Sequence, residues 1–151
     1  MLGKMKIEDL ISTDLEIIKN RHGDVYHGMK ETDPGFTRFG EAYFSSIKHN
    51  SVKAWKKHLE MTMNFIVPLG KIGVVIFDDR HNSKTNGVFN SYILSPDNYI
   101  RLTIPPRLWV GFKGLSNTDS FLLNLADITH NPNEVVNKDI NEIEFNWSEL
   151  R

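Results

Sequence analysis

Seven short runs rich in β-branched and aromatic residues, spaced by turn-forming residues with no long stretch at helical period between them, restrict this chain to an all-β fold. The runs cover roughly Ala42–Ile47, Ser51–His58, Met63–Val67, Lys71–Asp78, Val88–Leu94, Tyr99–Ile104 and Ser120–Ala126. His49-Asn50, Leu69-Gly70, Asn82-Ser83 and Ser95-Pro96-Asp97-Asn98 punctuate them, residues that favour tight turns. Tyr99–Ile104 alternates most clearly, with Ile100, Leu102 and Ile104 on one face and Tyr99, Arg101 and Thr103 on the other, so one face is core and the other carries polar groups. Ile72, Val74, Val75, Ile76 and Phe77 form an almost continuous apolar run, which predicts a strand covered on both faces and hence two packed sheets. A sandwich, jelly roll or small barrel fits this pattern. At 151 residues, without an internal repeat, the chain is expected to form one domain, 1–151.

The ends read differently. Lys6–Ile18 mixes charges with Ile7, Leu10, Ile11, Leu15, Ile17 and Ile18, a pattern open to a short helix or to an edge strand that reaches a partner subunit. Asn131–Glu144, rich in Asn, Asp and Glu, reads as a surface loop ahead of Phe145-Asn146-Trp147.

Composition narrows the chemistry. With no cysteine, thiolate metal sites, disulfides and thiol nucleophiles are excluded. Eighteen basic against nineteen acidic residues give a net charge of −1, too little for electrostatic capture by nucleic acid or an anionic membrane. No apolar run reaches the ~18 residues of a membrane span. Ile7-Glu8-Asp9 follows the N-terminal lysines where a signal peptide needs apolar residues, so a cytoplasmic address is expected.

The most unusual segment is Val52-Lys53-Ala54-Trp55-Lys56-Lys57-His58. Strict alternation puts Ala54, Lys56 and His58 on one face and Lys53, Trp55 and Lys57 on the other. It is either a solvated edge strand whose lysines discourage aggregation, or the wall of an anion pocket with Lys56 and His58 pointing inward. Metal binding is tested by spacing. A cupin-type jelly roll places a His-x-His pair and a Glu on one strand and a further His after a Pro-x-Gly turn. Here the corresponding segments read Lys56-Lys57-His58 with Glu60, and Pro105-Pro106-Arg107-Leu108-Trp109-Val110. The first and last ligands become Lys56 and Val110. A protonated lysine cannot coordinate a cation and a valine never does, so neither a metal nor another cofactor is expected. His22 and His27 have no third ligand nearby, no phosphate-cradling glycine loop occurs, and Gly114-Leu115-Ser116-Asn117-Thr118 lacks the closing glycine of a nucleophile elbow.

The order of motifs from Lys19 to Trp147 resembles the dTDP-4-dehydrorhamnose 3,5-epimerase family. Arg21–Tyr26 is loosely similar to that family's early Arg-Gly motif, and Val52–His58 stands where its Arg-Gly-Leu-His segment belongs. Gly70 and the run ending Asp78-Asp79-Arg80 are similar to its glycine turn and Asp-x-Arg strand end. Leu94–Pro105 matches best, in Leu-Ser, Asn, Leu and Ile-Pro at the family's spacing, with Gly111-Phe112 beyond. The resemblance implies a cupin-type jelly roll, a double-stranded β-sandwich with short terminal helical or edge segments. It also implies a dTDP-like nucleotide sugar as partner, and a homodimer formed by exchange of an N-terminal arm within residues 1–18.

That family abstracts a proton beside a 4-keto group and returns one to the other face, which needs a base, a proton donor and a cation for the enolate. Carried over by position, the base falls on Lys56, the enolate lysine on Met63, the tyrosine acid on Leu123 and a second histidine on Val110. The chain is thus a divergent member, and turnover by the family's own route is not expected. Asp139 is the expected orienter of the base. Lys56 acts as base only if its surroundings lower its pKa by several units; His58 is the other candidate. Arg21 and Lys53 are expected on the diphosphate, and Asn64 and Arg101 as further substrate partners. Lys53-Ala54-Trp55, Met61-Thr62-Met63-Asn64 and Trp109–Lys113 resemble the subset associated with surface-polysaccharide sugars. Three readings stand: an epimerase-like isomerase with a rearranged site, a binding module that holds a nucleotide sugar without turnover, and a structural domain with its pocket filled.

Overall fold

The computed structural model describes residues 5–151 and resolves them into short antiparallel strands without an α-helix. The strands are β1 (Ile11–Asp14), β2 (Ile17–Ile18), β3 (Val25–Tyr26), β4 (Glu41–Ile47), β5 (Val52–His58), β6 (Met63–Leu69), β7 (Ile72–Phe77), β8 (Phe89–Leu94), β9 (Ile100–Ile104), β10 (Trp109–Gly114), β11 (Ser120–Ala126) and β12 (Val135–Asn137). One sheet has the order β1-β9-β6-β11-β4 and faces a second of order β12-β5-β10-β7-β8; β2 and β3 form a small separate hairpin. This is the jelly-roll sandwich expected, and all seven predicted strands are present. Strand β10 was not anticipated, because Gly111 and Gly114 interrupt its apolar pattern. Gly111 is required there by proximity: a Cβ would lie 2.8 Å from both the Ala54 Cβ and the Trp147 ring.

The main core fills the space between the sheets with Met63, Phe65, Val67, Ile72, Val74, Ile76, Leu102, Ile104, Val110 and Leu122 among others. Val75, between Val74 and Ile76, points to the opposite face of the second sheet and joins Trp55, Trp109, Ile143 and Leu150. So β7 is covered on both faces as predicted, but its outer cover is the C-terminal segment rather than a sheet. Phe89, Phe145 and Trp147 extend this aromatic layer, with the Trp55 and Trp147 rings 5.3 Å apart.

Lys6–Ile18 forms no helix. Ile7 and Leu10 enter the main core, and β1 pairs with β9 of the same chain, Ile11 opposite Thr103 and Asp14 opposite Ile100. Of the expected arm, residues 1–4 lie outside the described residues. Asn131–Glu144 is more than the surface loop expected: β12 within it pairs with β5, Val135 opposite His58 and Asn137 opposite Lys56. Strand pairing here needs only three residues, too few for any periodic signal.

Candidate active site

The strict alternation expected along β5 does not hold, and the exception builds the site. Opposite β10 the register runs Trp109 to Lys57, Val110 to Lys56, then Phe112 to Lys53, with a shift between Val110 and Phe112. An extra residue is accommodated on β5 as a β-bulge. Ala54 and Trp55 consequently both pack towards the outer aromatic layer, and Lys53, Lys56 and His58 line a single cavity. Lys57 remains outside, ion-paired with Asp79 and 4.6 Å above the Trp109 ring.

The cavity has a volume of about 430 Å³ and lies between the two sheets, towards the β4 edge of one and the β12–β5 end of the other. Met63, Phe65, Val110 and Leu122 give it an apolar floor; Tyr43 and Ser45 approach from β4 and the basic residues from β5. Lys53 reaches across the gap, its ammonium donating to the Ser46 carbonyl at 2.6 Å and to the Ser45 hydroxyl at 3.2 Å, 5.8 Å from the Phe112 ring. Lys56 is exposed on the cavity wall and makes no side-chain hydrogen bond or ion pair among the described residues.

His58 is buried. Its Nδ1 lies 2.6 Å from Oε1 of Glu134, a carboxylate with only 3% of its side chain exposed. The other carboxylate oxygen accepts the Leu59 and Glu60 amides at 2.8 and 3.2 Å. Burial pushes the Glu134 carboxyl up, but the hydrogen bonds from His58 and those amides outweigh it and hold it below the ordinary value. An ionised carboxylate only accepts, so Nδ1 carries a proton, and in the neutral form of the ring the lone pair is on Nε2. Glu134 escaped sequence reasoning because it is a single acid in a segment rich in acids. The only local signal is the apolar Val135-Val136 that follows it.

Asp139, the expected orienter, is exposed and caps the turn Ile140–Glu142, its amide donating to the Glu142 carboxylate. It does not line the cavity, because β12 carries the chain past β5 before Asp139 is reached. Asn64 and Arg101 also lie elsewhere. Met63 and Phe65 face the core, so Asn64 between them faces the outer side of its sheet. There it accepts from Thr103 at 2.7 Å and donates to the Leu125 carbonyl at 3.1 Å. Arg101 is fully buried on that same outer side, where it donates to the Gly28 and Pro34 carbonyls at 2.8 and 2.9 Å and pairs with Asp33 at 3.3 Å. It fastens the 27–36 segment over the sheet. Arg21 stands exposed in the β2–β3 hairpin with its Nε 2.8 Å from His22 Nε2, outside the cavity of its own chain.

Lys56 and Val110, the two positions at which the resemblance would place cupin histidines, are direct cross-strand partners and both line the cavity. Among the described residues no three His, Asp or Glu side chains are gathered as a metal site. An apolar floor under two cations and a carboxylate-held imidazole suits an anionic ligand with an apolar face, and the neutral form of that imidazole can accept a proton at Nε2.

No family model matches the chain. The sequence is 30% identical over 125 residues to the probable low-salt glycan biosynthesis epimerase Agl13 of Haloferax volcanii, covering 78% of this chain and 77% of that one. It is also 30% identical over 114 residues to the spore coat polysaccharide biosynthesis protein SpsL of Bacillus subtilis, 73% and 76% of the two chains. Among solved structures, a dTDP sugar isomerase from Desulfovibrio desulfuricans G20 superposes with a TM-score of 0.91 at 38% identity, over 96% of this chain and 94% of that one. The dTDP-4-dehydrorhamnose 3,5-epimerase of Elizabethkingia anophelis NUHP1 shares the fold at a TM-score of 0.80 and 18% identity, over 95% and 84% of the two chains.

Proposed function

Because the chain belongs to the family of dTDP-4-dehydrorhamnose 3,5-epimerase-like sugar-nucleotide epimerases, we propose that its cavity binds a nucleotide-linked keto sugar and moves a proton on the carbon beside the sugar carbonyl. The step belongs to deoxysugar or surface-polysaccharide synthesis, in keeping with relatives named for glycan and spore-coat polysaccharide synthesis. The buried His58–Glu134 pair on the wall of a cavity that also holds Lys56 carries this reading.

The family's roles are redistributed. His58 Nε2 takes the proton, Glu134 holds Nδ1–H and balances the imidazolium that forms, and the electron pair of the broken C–H bond moves into the carbonyl to give an enolate. Lys56, standing where the family keeps its base, supplies the cation that Met63 no longer does. Lys53 offers its ammonium to the diphosphate, and the apolar floor takes the sugar's less polar face. Glu134 does for His58 what Asp139 was expected to do. As part of the same reading, the protein is a homodimer, supported by the exposed Phe44, Leu69 and Phe121 on the outer face of the first sheet.

Incubation with dTDP-4-keto-6-deoxyglucose in deuterated water, followed by NMR, tests this. Deuterium is expected at a ring carbon next to the carbonyl, and His58→Asn and Glu134→Gln should each slow its entry by about 10²-fold or more while dTDP still binds. Binding without exchange would mean a binding module, and no binding of dTDP at millimolar concentration would remove the reading altogether.

A further inference from the structure

Epimerisation needs a second group, a proton donor on the face of the ring opposite the base. At Leu123, where the family has its tyrosine, the side chain cannot donate, and the register pairs Leu123 with the outward-facing Phe44. The next pair in that register is Asn124 with Tyr43, on the cavity side of the sheet. Of the four tyrosines, Tyr43 alone lines the cavity.

Resting on the reading of the cavity as a site of proton transfer, we propose that Tyr43 is its proton donor. The hydrogen-bond pattern orients the phenol for that task. The backbone amide of Asn64 donates to Oδ1 of Asn124 at 3.0 Å, which fixes the side-chain amide so that its Nδ2 faces the tyrosine. Nδ2 then donates to the Tyr43 oxygen at 3.0 Å. Asn124 is fully buried, so this amide is not traded for water. A phenol oxygen that already accepts from an amide still has its own O–H to give, and the Nδ2 group beside it, being a donor, does not take that proton. The phenolic proton makes no hydrogen bond to the protein among the described residues and is available to a ligand.

The topology supplies the stereochemistry. Tyr43 comes from β4 in the first sheet, and His58 and Lys56 come from β5 in the second. A sugar ring held between the sheets meets the base from one side and the phenol from the other, the arrangement that inverts a carbon rather than merely exchanging its proton. The C–H proton passes to His58 Nε2 and its electron pair forms the enolate. The enolate then collapses to the ketone as the same carbon takes the Tyr43 proton on its other face, leaving a phenolate and an imidazolium. Water returns a proton to the first and removes one from the second.

The test is Tyr43→Phe in the full-length chain, with wild type alongside, following solvent deuterium exchange and epimer formation separately on dTDP-4-keto-6-deoxyglucose. Because Tyr43 is 40% exposed, the variant is expected to fold with only the modest loss of melting temperature that follows from the lost Asn124 hydrogen bond, and retained dTDP binding verifies it. Exchange should stay within about threefold of wild type while epimer formation falls by about 10²-fold or more. Epimer formation at the wild-type rate in the variant overturns Tyr43 and leaves the reading of the cavity intact. Absence of exchange in the wild-type protein overturns that reading, and Tyr43 with it.

Discussion

Asp78 stands at the centre of a dense polar cluster that ties Arg80, Ser83 and Thr85 together. It is fully buried, and its carboxylate accepts from Arg80 Nε and Nη2, both at 2.9 Å, from the Arg80 amide at 3.0 Å, from Ser83 at 2.6 Å and from Thr85 at 2.7 Å. Burial alone would push its pKa up; the Arg80 guanidinium and the two hydroxyls outweigh burial and hold the group far below the ordinary carboxylate range. A carboxyl depressed by folding stabilises the native state fully above its unfolded pKa of about 3.9 and loses that contribution as the pH falls towards the folded value. Asp78→Asn is therefore expected to cost about 3 kcal/mol at pH 7, read from urea midpoints. The gap between variant and wild type should narrow below about pH 4. A gap that stayed constant to pH 2 would show that the charge contributes nothing. Glu134 has the same sign, so the His58 pairing should also weaken as acid protonates its partner.

At the scale of the element, the bulge in β5 decides which cations share the cavity. Without it Lys53 would share the outer face with Trp55, and the two exposed cations of the cavity would be separated by the thickness of the sheet. Gly111, opposite the bulge, lets the strands approach while Ala54 and Trp147 pack above it. Gly111→Ala forces at least one of them away, an overpacking cost of about 1–3 kcal/mol, detectable as a lowered melting temperature together with a shift in tryptophan fluorescence. Wild-type stability in that variant would mean that the outer aromatic layer tolerates displacement and does not hold the bulge in place. The same element shows how far sequence reasoning reached. The run was found and its basic character singled out, but a period-2 rule has no term for one inserted residue.

Across the whole molecule, one sheet is covered on its outer face by the C-terminal aromatics and the other by the 27–36 segment, which Arg101 fastens. The uncovered remainder of that second outer face holds Phe44 and Leu69, 64% and 58% exposed. The homodimer reading places a subunit there. Phe44→Glu combined with Leu69→Glu should halve the mass seen by sedimentation equilibrium and leave the fold intact, whereas an unchanged mass would put the interface elsewhere. Removing the segment through Ile18 is a poorer probe, because Ile7 and Leu10 are part of the chain's own core.

By itself the sequence determined the all-β class and seven of the strands, and it singled out Lys56 and Val110 as the positions where the resemblance would place a cupin's histidines. It also determined that Arg101 and the core residues flanking it lie on opposite faces, but it was the structure that placed Arg101 outside the cavity, against the expectation of a substrate partner. These are local properties: alternation, turn chemistry and spacing along one stretch of chain. The tertiary structure alone decided that Lys53 joins Lys56 and His58, that Glu134 rather than Asp139 holds the imidazole, and that Tyr43 faces them from the other sheet. Each of these depends on register between strands distant in sequence. A shift of one residue exchanges the two faces of a strand, and no pattern within a single segment records which register its neighbours impose.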